Sequence, residues 1–185
     1  MTAIQLATLS GLQVITTASP RNHDLLKSLG AKHVLDYKSP TVVEDISRLS
    51  NGRLKYIYDT VSTHGSTQNA SKALSGAGGK VVVLLPTDPS TLEKNVELFH
   101  AALFKISGKP YSFAGRDFPA NPAVKKWYED WISGKLSELV MGGKLKGNPI
   151  KVMGGFESIN DGFKYMDEGK VHAEKLVYEI ISSRL

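Results

Sequence analysis

The residues best suited to chemistry stand together at Ser19-Pro20-Arg21-Asn22, directly after the apolar, β-branched run at 12–18. A guanidinium flanked by a hydroxyl and a carboxamide offers charge and forked N–H donors to a phosphate, and no acid lies within 19–22 to repel one. The same four residues also suit a turn that N-caps a helix, because Ser-Pro and Asn favour both. Other catalytic patterns are missing. There is no G-x-S-x-G elbow and no P-loop, and Asp59 and His64 have no nucleophile at a recognisable spacing. Histidines 23, 33, 64, 100 and 172 are too dispersed for a metal motif, and the absence of cysteine excludes a thiolate zinc site, a disulfide and a cysteine nucleophile. His172 has no orienting partner nearby in sequence and reads as a surface residue. Asp117 and Glu129-Asp130 read as solvated charges. Trp127, Tyr128 and Trp131 read as helix core or interface, since a base-stacking platform would need flanking arginines.

The elements that must position these residues alternate. Ile4, Leu6, Ala7 and Leu9 repeat at helical spacing over 2–10, and Gly11 is a C-cap signal. Strands are expected at 12–18, 33–37, 54–61 and 80–85, separated by helices at 24–29, 41–49 and 67–74. Short strands between helices of about ten residues or fewer indicate βαβ units and a parallel sheet. The pattern then loosens. Residues 97–106 are expected as a strand and 111–122 as a loop. A long amphipathic helix is expected at 123–141, stopped by Gly142-Gly143. A strand at 150–153, a helix at 156–166 with Ile159, Phe163 and Met166 inward, and an alternating strand at 174–181 close the chain.

At 185 residues and 41% hydrophobic, the chain can bury one substantial core. It is expected to form a single α/β domain over 1–185, with a core at about 2–110 and C-terminal helices and a return strand at 111–185. A first strand with a G-x-G-x-x-G turn, the usual pyrophosphate cradle of such sheets, is not found ahead of residue 2. No apolar run approaches the roughly 18–20 residues needed to span a bilayer. The net charge of +5 is scattered rather than blocked, which argues against a nucleic-acid face and for a surface that favours phosphate-bearing ligands. No secretory signal is evident, so a cytoplasmic location is expected.

Several segments together resemble the medium-chain dehydrogenase/reductase superfamily, and most of all its zinc-independent branch of quinone-oxidoreductase-like proteins and stand-alone fungal enoyl reductases. They are Ala3-Ile-Gln-Leu-Ala7, the run from Val14 to Asn22, Leu29-Gly-Ala31, Asp36-Tyr37, Tyr58-Asp-Thr60, Gly78-Gly79, Gly154-Gly-Phe156, and Gly169-Lys-Val171 with Glu174-Lys-Leu-Val-Tyr178. The resemblance covers the C-terminal half of such an enzyme, without its catalytic domain or the first strand of its Rossmann domain. It implies that Ser19, Arg21 and Asn22 select NADPH by its 2′-phosphate. It implies that Tyr37 flanks the adenine, although a strand-end aromatic covering the sheet edge is an equal reading. Leu84 and Leu85 would lie beside the nicotinamide. Where the family often has Gly-Lys-Val-Ser-Gly-Glu-Lys, this chain has His172-Ala173 in the middle, so Val171 and His172 are cofactor contacts that depart from the pattern.

The fold expected is therefore an incomplete Rossmann-like sheet, mostly parallel, with helices on both faces. The function expected is an NADPH-linked reductase-type domain related to enoyl reduction of unsaturated acyl or quinone substrates, with no zinc. The alternative is a shortened relative without redox activity, acting as a scaffold or as an isomerase- or cyclase-type tailoring protein on a polyketide-like substrate. A third reading is a piece of a longer enzyme. Weak dinucleotide binding is expected without the glycine-rich turn, with 2′,5′-ADP held nearly as well as NADPH. Two further expectations concern strand edges. The strands beginning near Leu12 and Leu54 should pair directly or have their gap filled by another segment. The apolar face of the last strand (Leu176, Tyr178, Ile180) should be covered by self-association or by a partner.

Overall fold

The computed structural model describes residues 1–63, 65–74, 76, 78–113 and 115–180. Helix α1 (Thr2–Leu9) leads into β1 (Val14–Ala18), a 3-10 turn at Pro20–Asn22, α2 (His23–Ser28) and β2 (Ala31–Asp36). Then come α3 (Val42–Ser50), β3 (Tyr56–Asp59), α4 (Ser66–Leu74), β4 (Gly79–Val83) and β5 (Val96–His100). A hairpin of β6 (Tyr111–Phe113) and β7 (Arg116–Phe118) precedes α5 (Pro122–Asp130) and α6 (Ser137–Met141). The chain closes with β8 (Ile150–Val152), α7 (Ile159–Asp167) and β9 (Lys175–Val177). All ladders are parallel except that of the hairpin. Among the described residues no helix is long and apolar enough to cross a membrane.

The chain divides into two compact units. One comprises Met1–Tyr37 and the residues from Leu139 onward. Its β1 and β2 pair in parallel, and Ile4, Leu26 and Ala31 are buried with Val14, Ala18, Leu29 and Val34 packed around them. Gln5 sits on the buried face of α1, only 5% exposed. Its side-chain amide donates to the Lys146 carbonyl at 3.0 Å and accepts from the Lys146 N–H at 2.8 Å, imitating a strand pairing. Both halves of a buried amide are thereby satisfied, which removes the penalty of burying it.

In the same unit β8 and β9 pair in parallel. The sequence pattern placed Phe163 and Met166 inward on α7, but both are exposed, at 59% and 56%. The buried position is Gly162, where a Cβ would collide with the Tyr178 hydroxyl. The Tyr178 ring, arriving just after β9, therefore sets which face of α7 turns inward. Leu176 and Tyr178 are half-buried within their own unit, leaving Ile180 as the exposed member of that apolar set. The expected strand at 174–181 is shorter, and residue 181 lies outside the described residues.

The second unit is Lys38–Glu138. Its sheet runs β3-β4-β5, with Leu74, Val81 and Val83 fully enclosed and Leu54, Ile57, Val96 and Leu98 packed on them. The expected strand at 97–106 ends at His100, and Leu103–Ser107 winds into a 3-10 helix. The expected loop at 111–122 contains the β6–β7 hairpin. Its cross-strand partners Tyr111 and Phe118 stack at 4.7 Å, and the Ser112 hydroxyl donates to Asp117 at 2.6 Å. The amphipathic helix expected at 123–141 contains a π-helical stretch at Trp131–Leu136 between α5 and α6. There the Ser133 and Ser137 hydroxyls donate to the carbonyls of Glu129 and Ile132. Trp127 and Trp131 stack one turn apart with ring centroids at 6.3 Å.

Neither expected solution for the β1 and β3 edges is realised. The two strands lie in separate sheets, and among the described residues neither carries a further strand on its outer edge. Tyr56 and Tyr58 on β3 are exposed.

The register of β3 on β4 depends on a glycine. A Cβ at Gly79 would lie 2.6 Å from the Lys55 carbonyl oxygen, a backbone atom held by the adjoining Lys80 N–H at 2.8 Å. Gly79→Ala is expected to destabilise the protein by about 2 kcal/mol, a typical overpacking cost. A lower urea midpoint, followed by far-UV circular dichroism, checks this.

Candidate functional site

In the first unit the site begins where β1 ends. Ser19 is extended (φ −61°, ψ 143°), and Pro20 sets the φ of the 3-10 turn that carries Arg21 and Asn22. The His23 imidazole donates from Nε2 to the Ala18 carbonyl at 3.1 Å, tying α2 to the strand end. The capping reading of Ser19 and Asn22 requires side-chain oxygens that accept helix N–H groups, and neither residue makes such a bond. Arg21 between them is exposed. Tyr37, just past β2, is 51% exposed.

A contact across 151 residues of sequence completes this corner. Arg21 Nη1 lies 2.9 Å from His172 Nε2. Arginine can only donate, so the imidazole accepts with a bare Nε2 and carries its proton on Nδ1. Ala173 sits at φ +54°, a left-handed conformation that costs an alanine about 1 kcal/mol. Val171 is half-buried beside His172 in the chain.

In the second unit Leu84 and Leu85 follow β4, at the carboxyl end of a parallel strand, where ligands gather in open α/β sheets. Both backbone groups of Leu84 are held. Its N–H donates to Ser62 Oγ at 3.0 Å, and its carbonyl accepts from His100 Nε2 at 2.9 Å. The His100 ring stacks on Phe113 with centroids 5.6 Å apart. Leu84, His100, Leu103, Phe104 and Phe113 line a largely apolar cavity of about 240 Å³, and Leu85 is exposed.

Asp59, buried at the end of β3, organises this rim. Its Oδ1 accepts from the N–H groups of Val61 (3.0 Å) and Ser62 (2.9 Å), and its Oδ2 from the hydroxyls of Ser66 (2.8 Å) and Thr67 (2.7 Å). The Asp59 carbonyl accepts from the same Ser62 hydroxyl that holds Leu84. Ser62 is kept at φ +56° by these bonds. Burial pushes the Asp59 pKa up, but the four hydrogen bonds outweigh burial and hold it below the usual carboxylate value.

The structure thus brings Arg21 to His172 and fixes Leu84 through residues that sequence reading passed over. Ser62 and His100 carried no motif. As a chemical group Asp59 was weighed with His64, which lies outside the described residues, and its segment Tyr58-Asp-Thr60 entered through the family resemblance; its partners are the following hydroxyls. Asp59-x-x-Ser62 with Ser66-Thr67 was the available signal, a side chain closing its own turn. No metal site competes with this reading among the described residues: no group of three or more His, Cys, Asp or Glu could hold an ion.

Asp59→Asn keeps the acceptor for two N–H groups but turns an amide donor on two hydroxyls. It is expected to cost about 2–3 kcal/mol. Because the folded pKa is depressed, the stability Asp59 contributes is full above about pH 4 and is lost as pH falls through the folded value. Urea midpoints between pH 3 and pH 7 should therefore rise less steeply in the variant than in the parent.

Known proteins resemble the chain in sequence and in fold. The family model described as "Zinc-binding dehydrogenase" matches residues 1–121. Trans-enoyl reductase RAP1 of Pyricularia oryzae is 35% identical, over 97% of this chain and 51% of its own length. Trans-enoyl reductase mpsG of Macrophomina phaseolina is 35% identical, over 95% of this chain and 50% of its own. The chain spans about half the length of the curated relatives it matches. In three dimensions it resembles the CurK enoyl reductase (TM-score 0.72, 22% identity, 96% of this chain and 50% of that one). A putative zinc-dependent alcohol dehydrogenase from Rhizobium etli is equally similar (TM-score 0.72, 22% identity, 98% and 51%). The fold is thus that of the nucleotide-cofactor half of these enzymes, and the chain belongs to the zinc-binding dehydrogenase family, within the medium-chain dehydrogenase/reductase superfamily, as an enoyl reductase-type domain matching the C-terminal portion of its fungal trans-enoyl reductase members.

Proposed function

We propose that this chain is the NADP(H)-binding portion of a trans-enoyl reductase acting on α,β-unsaturated acyl substrates of polyketide type. The observation that carries the reading is the turn at 19–22. It has no acid, its hydroxyl and carboxamide are not spent on capping, and its arginine is met by an imidazole rather than a carboxylate. A ribose 2′-phosphate would accept from Arg21, Ser19 and Asn22, while the carboxylate of an NAD-type site would repel it. The trans-enoyl reductase names of relatives 35% identical over nearly the whole chain support the reaction class.

In this reading NADPH supplies the hydride when bound. Tyr37 offers a face to the adenine. Val171 contributes backbone and apolar surface at the cofactor, next to His172. Leu84 and Leu85 present backbone and apolar surface at the nicotinamide, held rigid by Ser62 and His100. Leu103, Phe104 and Phe113 give the neighbouring open cavity an apolar lining, which suits an unsaturated acyl group. The reading needs no protein-bound zinc.

Isothermal titration of the chain with NADPH, NADH and the Arg21→Ala variant tests this. NADPH should bind better than NADH. The variant should lose roughly tenfold to a hundredfold in NADPH affinity, the worth of one charge-assisted bond, with NADH unchanged. No binding at millimolar NADPH, or equal binding of both nucleotides, would refute it.

A further inference from the structure

We propose that His172 is a positioning residue that holds the Arg21 guanidinium ready for the 2′-phosphate, so that recognition of the phosphorylated nucleotide depends on a residue 151 positions away. The proposal rests on the cofactor reading above and adds a specificity determinant to it. An exposed arginine on a short turn has rotamer freedom to lose when it grips a ligand. One Nη1–H bond to His172 removes part of that freedom beforehand and leaves the other N–H groups of the fork available. The identity of the partner matters. A carboxylate would orient Arg21 but cancel its charge and repel a phosphate. A neutral imidazole orients it and leaves the charge intact.

The backbone around His172 is built to hold that ring in place. On one side the Lys170 N–H donates to the Tyr165 carbonyl at 3.1 Å, and on the other the Lys175 N–H donates to Pro149 at 2.8 Å. Between these anchors Ala173 accepts the left-handed φ of +54°. Strain kept at a non-glycine position beside a candidate ligand contact is the pattern expected when local geometry serves recognition. The neighbouring charges have other partners: Lys170 pairs with Glu168, and Glu174 lies near Lys151.

Two measurements on the full chain test the proposal. The first needs no ligand. Nitrogen-15 NMR of the neutral histidine should show His172 with its proton on Nδ1, and Arg21→Ala should shift it toward the Nε2–H form. An unchanged tautomer overturns the proposal even if cofactor binds. The second is titration with 2′,5′-ADP and 5′-AMP. His172→Ala should weaken 2′,5′-ADP about two- to tenfold and leave 5′-AMP unchanged. His172→Gln, whose amide oxygen can accept the same bond, should restore most of the loss. Unchanged or tighter 2′,5′-ADP binding by the alanine variant, equal loss of both ligands, or no rescue by glutamine would each overturn it. Failure of the parent chain to bind 2′,5′-ADP would refute the cofactor reading and this proposal with it, whereas an intact parent with an indifferent His172→Ala refutes the proposal alone.

Discussion

A carboxylate withdrawn from water at the end of a strand must be surrounded by donors, and Asp59 sets much of the second unit by that demand. Satisfying it closes the turn after β3, starts α4 with Ser66 and Thr67, and holds Ser62 in a conformation that serine otherwise avoids. Because β3 and β4 are in register at Asp59 and Val83, the Ser62 hydroxyl arrives where the chain leaves β4 and takes the Leu84 N–H. His100, in register with Val83 on the other side, takes the carbonyl. One ionised group thereby fixes a backbone segment two strands wide, and the cavity wall follows through Phe113.

The first unit solves a similar problem without charge. Gln5 is as buried as Asp59, but its amide both donates and accepts, so one backbone position of a distant segment satisfies it. The difference suits the two corners. In the first unit the link is neutral and adds no charge to the fold. The Asp59 anion is shielded by its own four donors, and the cavity wall carries the His100 imidazole rather than a charge.

The alternation of short strands and helices through residue 85 was legible because each element is apolar at its own period and ends at a glycine or turn residue. The turn at 19–22 was legible because its residue types are local. What could not be read depends on partners brought together by folding. Phe163 and Met166 have the spacing of an inner face, yet the helix turns by the fit of Tyr178 over Gly162. The hairpin at 111–118 is written in an aromatic pair seven residues apart, which resembles loop composition until the two strands meet. The partner of His172 lies at the other end of the chain, and no local pattern points to it.

The two tryptophans of the sequence lie one turn apart, stacked on the helix that contains the π-helical stretch, with Trp127 62% exposed. Intrinsic emission therefore reports the winding of that single segment. Unwinding there separates the indoles without disturbing Val81 or Leu26, so a fluorescence melt can run ahead of the loss of either core. Neither indole belongs to the turn at 19–22 or to the wall of the cavity.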